Sequence, residues 1–127
     1  MAETLTARAD KEVDRIKETY PERLKQSFEV LEKMIDADEF DKATTIAYSI
    51  KGVAGTLGWP LVSEASGYLY RFLDLAGVHT DLKALTDIYI NTLSVLVREG
   101  LSGMNPRGVE LVKALRAMHD KKVAGLS

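Results

Sequence analysis

The sequence predicts an all-α protein, an antiparallel four-helix bundle with additional helices on its N- and C-terminal sides. Three observations predict it. Apolar residues recur at three- and four-residue spacing through most of the chain. Each of the three prolines precedes such a periodic run, where a first helical turn tolerates its missing N–H. No stretch shows the sustained alternation of a strand, and no internal repeat or compositionally biased segment interrupts the pattern. At 127 residues the chain is most simply one domain, residues 1–127, long enough to bury a core without disulfide or metal support.

The elements follow in order. Over about residues 2–18, Leu5, Ala9, Val13 and Ile16, followed by Tyr20, make a thin apolar stripe among charges, which predicts an amphipathic helix lying across something larger. Pro21 then predicts the start of a new helix whose apolar face is Leu24, Phe28, Leu31 and Ile35, ending near residues 36–38. The next helix runs from Glu39 or Phe40 to Leu57, and Gly58 can end it in a left-handed conformation. Pro60 opens a helix with Leu61, Ala65, Tyr68, Phe72 and Leu75 on its inner face, closed by Gly77. The short Gly58–Pro60 link makes these two helices an antiparallel hairpin. Thr80 or Asp81 caps the following helix, with Leu82, Leu85, Ile88, Tyr89, Leu93 and Leu96 buried before Gly100. Asn105-Pro106 is a cap and first-turn pair for a last helix over about residues 106–122, with Val109, Val112, Leu115 and Met118 inward and fraying from about Val123. The bundle core thus spans about residues 21–99.

Composition excludes several functions. A net charge of −2 offers no electrostatic basis for binding nucleic acid. Without cysteine there can be no disulfide, thiolate nucleophile or thiolate metal site. His79 and His119 lack ligand spacing, so neither a metal nor a cofactor is expected; both read as surface residues. No apolar run reaches membrane-spanning length and the N-terminal residues do not resemble a secretory signal, which predicts a soluble, cytoplasmic protein.

The stretch from Thr44 to Trp59 stands apart. On a helix, Ile46, Ile50, Val53 and Leu57 form a stripe with Ala43, Ala47 and Ala54 beside it, which predicts a buried face. Tyr48, Gly52 and Gly55 point away from it, flanked by Thr44 and Lys51. A helix-interior glycine costs about 1 kcal/mol relative to alanine. Two of them beside an exposed aromatic ring suggest a surface that a partner approaches closely. Trp59, between Gly58 and Pro60, reads as a plug at the end of the bundle.

This segment resembles the histidine phosphotransfer (HPt) domains of multistep two-component signalling, whose signature is H-x-x-K-G-x-x-x-x-x-G on the second bundle helix. Here it reads Tyr48-Ser49-Ile50-Lys51-Gly52, with Gly55 as an intermediate glycine and Gly58 as the final one. Tyr48 stands where the family has its phospho-accepting histidine. An imidazole accepts a phosphoryl group from an aspartyl phosphate and returns it. A phenol is protonated near neutral pH and would form a far more stable ester, and its longer reach misplaces it for in-line attack.

The resemblance implies a non-catalytic HPt-like module that binds a response-regulator receiver domain or a sensor histidine kinase without relaying phosphate. It implies a partner-binding surface of Tyr48, Lys51, Gly52, Gly55 and Thr44, with Gly58 as a structural motif residue. Two alternatives remain open on the residues: an active phosphotransfer protein using His79, His119 or Tyr48 itself, and a structural helical adaptor. A monomer or weak homodimer is expected.

Overall fold

The computed structural model describes residues 2–76 and 83–126, with side chains described for residues 9–75 and 83–125. Its elements are five α-helices: α1 (Ala2–Asp36), α2 (Phe40–Ala54), α3 (Pro60–Ala76), α4 (Lys83–Arg98) and α5 (Pro106–Leu126). The fold is all-α, and no strand occurs among the described residues. The expected closing glycine Gly77, the caps Thr80 and Asp81, Leu82 and His79 lie outside the described residues.

The first correction concerns α1. Two helices are expected on either side of Pro21, but a single helix runs through it. Pro21 removes only the hydrogen bond that would serve the carbonyl of Lys17, and Lys17 is exposed, so water can take that place. Tyr20 and Leu24 are buried on either side of the proline and hold the helix on course. Thr19 Oγ1 also donates to the carbonyls of Arg15 and Ile16, at 3.1 and 3.2 Å. Residues 9–19 therefore do not lie across the remaining helices. Every side chain from Ala9 to Thr19 is exposed, Val13 and Ile16 included.

Below Tyr20, α1 contributes Leu24, Phe28, Leu31 and Ile35 to the core, as the spacing predicts. It ends on Asp38 in the left-handed region, φ 61°, where Glu39 N–H bonds the carbonyl of Met34 and Asp38 N–H that of Ile35. This paired closure returns at Gly58, φ 91°, where Trp59 N–H bonds the carbonyl of Ala54. It returns again at Gly100, where Leu101 N–H bonds that of Leu96. Gly58 thus has the conformation expected of it.

Helix α2 is shorter than expected, and Gly55 to Gly58 form a turn. Its buried stripe is also turned relative to the expected one. Ala43, Ala47, Ile50 and Ala54 are buried, whereas Ile46 and Leu57 are half-buried and Val53 is 43% exposed. Alanines face inward because α1 and α3 both press on α2. Close helix approach favours small side chains, and larger ones are displaced to the margins. In α3 the buried set is Leu61, Val62, Ala65, Ser66, Leu69, Phe72 and Leu73; Tyr68 is only half-buried and Leu75 is 47% exposed, contrary to expectation. In α4, Ile88 is exposed while Thr86, Tyr89, Ile90, Leu93, Leu96 and Val97 are buried.

Asn105 caps α5 as the sequence predicts, its Oδ1 accepting from the N–H groups of Arg107 at 2.9 Å and Gly108 at 3.4 Å. The helix then continues to Leu126 rather than fraying from Val123. Gly108 permits its approach, since a Cβ there would lie 2.6 Å from Leu61 Cδ1.

Helix α1 packs on α2 and α4, α2 on α1 and α3, and α3 on α2, α4 and α5, while α5 also touches α4. Lys83 fastens one end, pairing with Asp38 at 2.7 Å and donating to the Asp36 carbonyl. At the other end Gly103 N–H donates to the carbonyl of Gly58, joining the α4–α5 turn to the α2–α3 turn. Trp59 is buried beside that junction. No helix among the described residues is long and apolar enough to cross a membrane.

Candidate functional site

The surface built on α2 and α3 brings the sequence-predicted residues together on an open face. Tyr48 projects from α2 with 57% of its surface exposed. Thr44, one turn earlier, donates its hydroxyl to the Phe40 carbonyl at 2.7 Å and is half-buried at the base of the ring. Lys51 leans toward Tyr48, its Nζ 5.9 Å from the ring centroid, within cation–π range. Gly52 lies on the same exposed side, and a Cβ added there would meet nothing within 4 Å. Gly55 is exposed too, but its missing Cβ would touch Ser63 Oγ at 3.6 Å. Gly55 therefore sits against α3 as well as facing solvent.

Three further residues complete the face, none of them expected from the sequence. The ring of Tyr70 on α3 meets that of Tyr48 at 5.2 Å between centroids with a 54° tilt. Thr44, Thr45, Tyr48 and Tyr70 line one shallow pocket. The methylene stem of Lys51 crosses Gly67, whose Cβ would come 3.4 Å from Lys51 Cδ. Arg71, one residue beyond Tyr70, lines the adjoining cleft with Lys51 and Glu64. A signal for these was present. Tyr48 and Tyr70 stand eleven residues either side of Trp59, Lys51 and Gly67 eight, and Gly55 and Ser63 four. Folding the hairpin on Trp59 pairs them. Ser63 pins that register by donating to the Lys51 carbonyl at 2.6 Å.

His119 is the main departure from expectation. Instead of lying on the surface it is 3% exposed, in a cluster joining α5 to α3 and α4. Its Nδ1 is 2.8 Å from Tyr89 Oη, and its ring stacks on Tyr68 at 5.0 Å. The Tyr89 phenol is pushed well above its ordinary value by burial, so it stays protonated, and it shares one hydrogen bond with Nδ1 whose donor is set by the imidazole tautomer. Burial holds His119 below the usual histidine range; the nearby Asp120 carboxylate opposes this and Arg71 adds to it. Tyr68 donates to Glu64 and is pushed up to about 12, chiefly by desolvation and then by that hydrogen bond. The polar signal that could have revealed this cluster was weak, because His119 is flanked by Asp120, Lys121 and Lys122.

Chemically, the α2–α3 face offers an aromatic pair, two cations and bare backbone. Among the described residues no group of three or more His, Asp or Glu side chains is arranged to hold a metal. Comparison with protein-family models, with curated proteins and with solved structures finds no match to this chain.

Proposed function

We propose that the chain is a non-catalytic HPt-like module that docks a response-regulator receiver domain, or a sensor histidine kinase, on the α2–α3 surface without relaying phosphate. The observation that carries this reading is Tyr48. It stands exposed at the motif's acceptor position, with Lys51 three residues on and the open backbone of Gly52 beside it. In this reading α1 from Pro21 onward, α2, α3 and α4 are the antiparallel four-helix bundle of the resemblance, and α5 buttresses it through α3. Tyr48 and Tyr70 act as the apolar anchor, a role for which tyrosine suits by its rigid face and polar tip. Lys51 and Arg71 meet acidic groups of the partner. Two-component partners of this kind work in the cytoplasm, which is where the reading puts this protein.

The burial of His119 weighs against the alternative of an active relay through that residue. An imidazole that is 3% exposed and bonded to Tyr89 is out of reach of an incoming aspartyl phosphate. The deciding experiment titrates the protein calorimetrically with phosphorylated and unphosphorylated receiver domains from its own organism and follows radiolabel transfer in parallel. Binding without transfer is expected, with binding weakened at least tenfold in Gly52→Trp and transfer appearing in Tyr48→His. Gly52 is the cleaner position than Gly55, because its side chain would enter open space rather than press on Ser63. Absence of binding to every receiver, or label on the wild-type chain, overturns the proposal.

A further inference from the structure

The part of α1 before Tyr20 has a face that nothing among the described residues covers. Ala9 to Thr19 form roughly 16 Å of helix, exposed at every side chain. Within it Val13 is 46% and Ile16 42% exposed, on one stripe with Ala9 and with Tyr20, where the buried part of α1 begins. Helix α1 below Tyr20 runs antiparallel to the similarly long α2, so the base of this arm lies at the end where the Gly58 and Gly103 turns meet. The α4–α5 turn at that end carries Met104, 67% exposed.

The charges beside the stripe are complementary to themselves under a two-fold rotation. Asp10 and Lys17 lie seven residues apart on the same flank of the stripe. They are about two turns apart and so do not pair within one helix. Arg15 and Glu12, by contrast, do pair within the helix, at 2.9 Å. If two arms cross antiparallel with Val13 of each against Ile16 of the other, Asp10 of each copy faces Lys17 of the other, twice. A parallel pairing would not fit. The stripe continues into Leu24 and Phe28, which the chain's own core already covers, so a parallel partner helix would run into this body. The same constraint makes the arms cross at an angle of the ridges-into-grooves kind rather than coil along their length.

We infer that the exposed arm of α1, through Val13, Ile16, Asp10 and Lys17, is a self-association surface whose occupant is the arm of a second copy of this chain. The contact is small, in the class of weak and transient interfaces, so the dimer forms at high local concentration. It leaves the α2–α3 face free, and it does not rest on the proposed docking function.

Sedimentation equilibrium of the full chain tests this across a concentration series up to about 1 mM, the range of weak association. The apparent mass is expected to rise from the 14.0 kDa of one chain toward twice that value. Ile16→Asp, at an exposed position, should abolish the rise while the helical circular dichroism is retained. Asp10→Lys alone and Lys17→Asp alone should each weaken association at least tenfold, since each sets like charges opposite one another. An equimolar mixture of those two variants should restore it, because the lysine introduced in one chain then faces the aspartate introduced in the other. A single-chain mass throughout the series overturns the inference. So does association that Ile16→Asp leaves unchanged, as a receiver-type or unrelated contact would, or a mixture that associates no better than its components.

Discussion

Two aromatic groups leave α3 two residues apart, from Tyr68 and Tyr70, and meet opposite fates. Tyr68 turns toward α5, where its ring stacks on His119 and completes a cluster with Tyr89. Tyr70 turns toward α2, where its half-buried ring meets the exposed ring of Tyr48. Each group couples tyrosines to a nitrogen base, yet the first has its hydrogen bond satisfied inside the protein and the second leaves its cation in solvent. The difference teaches what each group is for. Burial with matched partners adds cohesion between helices, whereas the exposed ring of Tyr48 beside a lysine adds little to the fold and is available to something else.

That contrast can be broken or sharpened by measurement. The largest effect is expected from Tyr89→Ala, which empties a fully buried site and leaves His119 Nδ1 without its hydrogen-bond partner. Chemical denaturation should show a loss of about 3–5 kcal/mol. A loss below about 1 kcal/mol would mean that the buried cluster is no more cohesive than the exposed one.

The next effect is a pH dependence. His119 has its folded-state pKa lowered, mainly by burial, so the unfolded chain binds its proton more readily than the folded one. Its contribution to stability is complete above the ordinary histidine value of about 6.5 and is lost as pH falls from there toward the lowered value. Urea midpoints should therefore drop between about pH 7.5 and 5.5 in the wild type and drop less in His119→Gln, whose amide can still hydrogen-bond Tyr89. The lowered Glu99 carboxyl, held down by the Arg107 hydrogen bond, acts only at more acid pH and leaves this window clear. Equal slopes in the two proteins would show that His119 protonates without disturbing α5.

The smallest effect belongs to the open face. Tyr48→Ala, which removes a ring that is 57% exposed, should shift stability by less than about 0.5 kcal/mol, even though the ring lies in the surface proposed for docking. If it destabilises by more than about 1 kcal/mol, the ring is a structural element and its exposure loses its functional meaning.

The buried and open groups also differ in how far the sequence revealed them. Helix positions were legible because Pro60, Pro106 and Asn105 punctuate strong apolar periodicity, and Gly58 has the backbone angle its place demands. Pro21 misled because a proline rule describes local cost. That cost is one exposed hydrogen bond, outweighed by burying Tyr20 and Leu24 on a continuous helix. The open face was half legible. Tyr48, Lys51, Gly52 and Thr44 lie together on one helix, where periodicity orders them, but Tyr70 and Arg71 come from the next helix and required the hairpin register. The buried cluster was the least legible. His119 draws its partners from two other helices, and its charged neighbours in sequence disguise an inward-facing position.

The symmetry of the hairpin about Trp59 has a consequence for how this chain can vary. The length of the α2–α3 link sets the register of the open face. Inserting a single residue between Gly58 and Pro60 would rotate every α3 position by about 100° relative to α2 or slide it by one step. Tyr70 would then leave Tyr48, and the Lys51 stem would lose its bed on Gly67. Length variants of this kind should therefore be purged from the turn around Trp59.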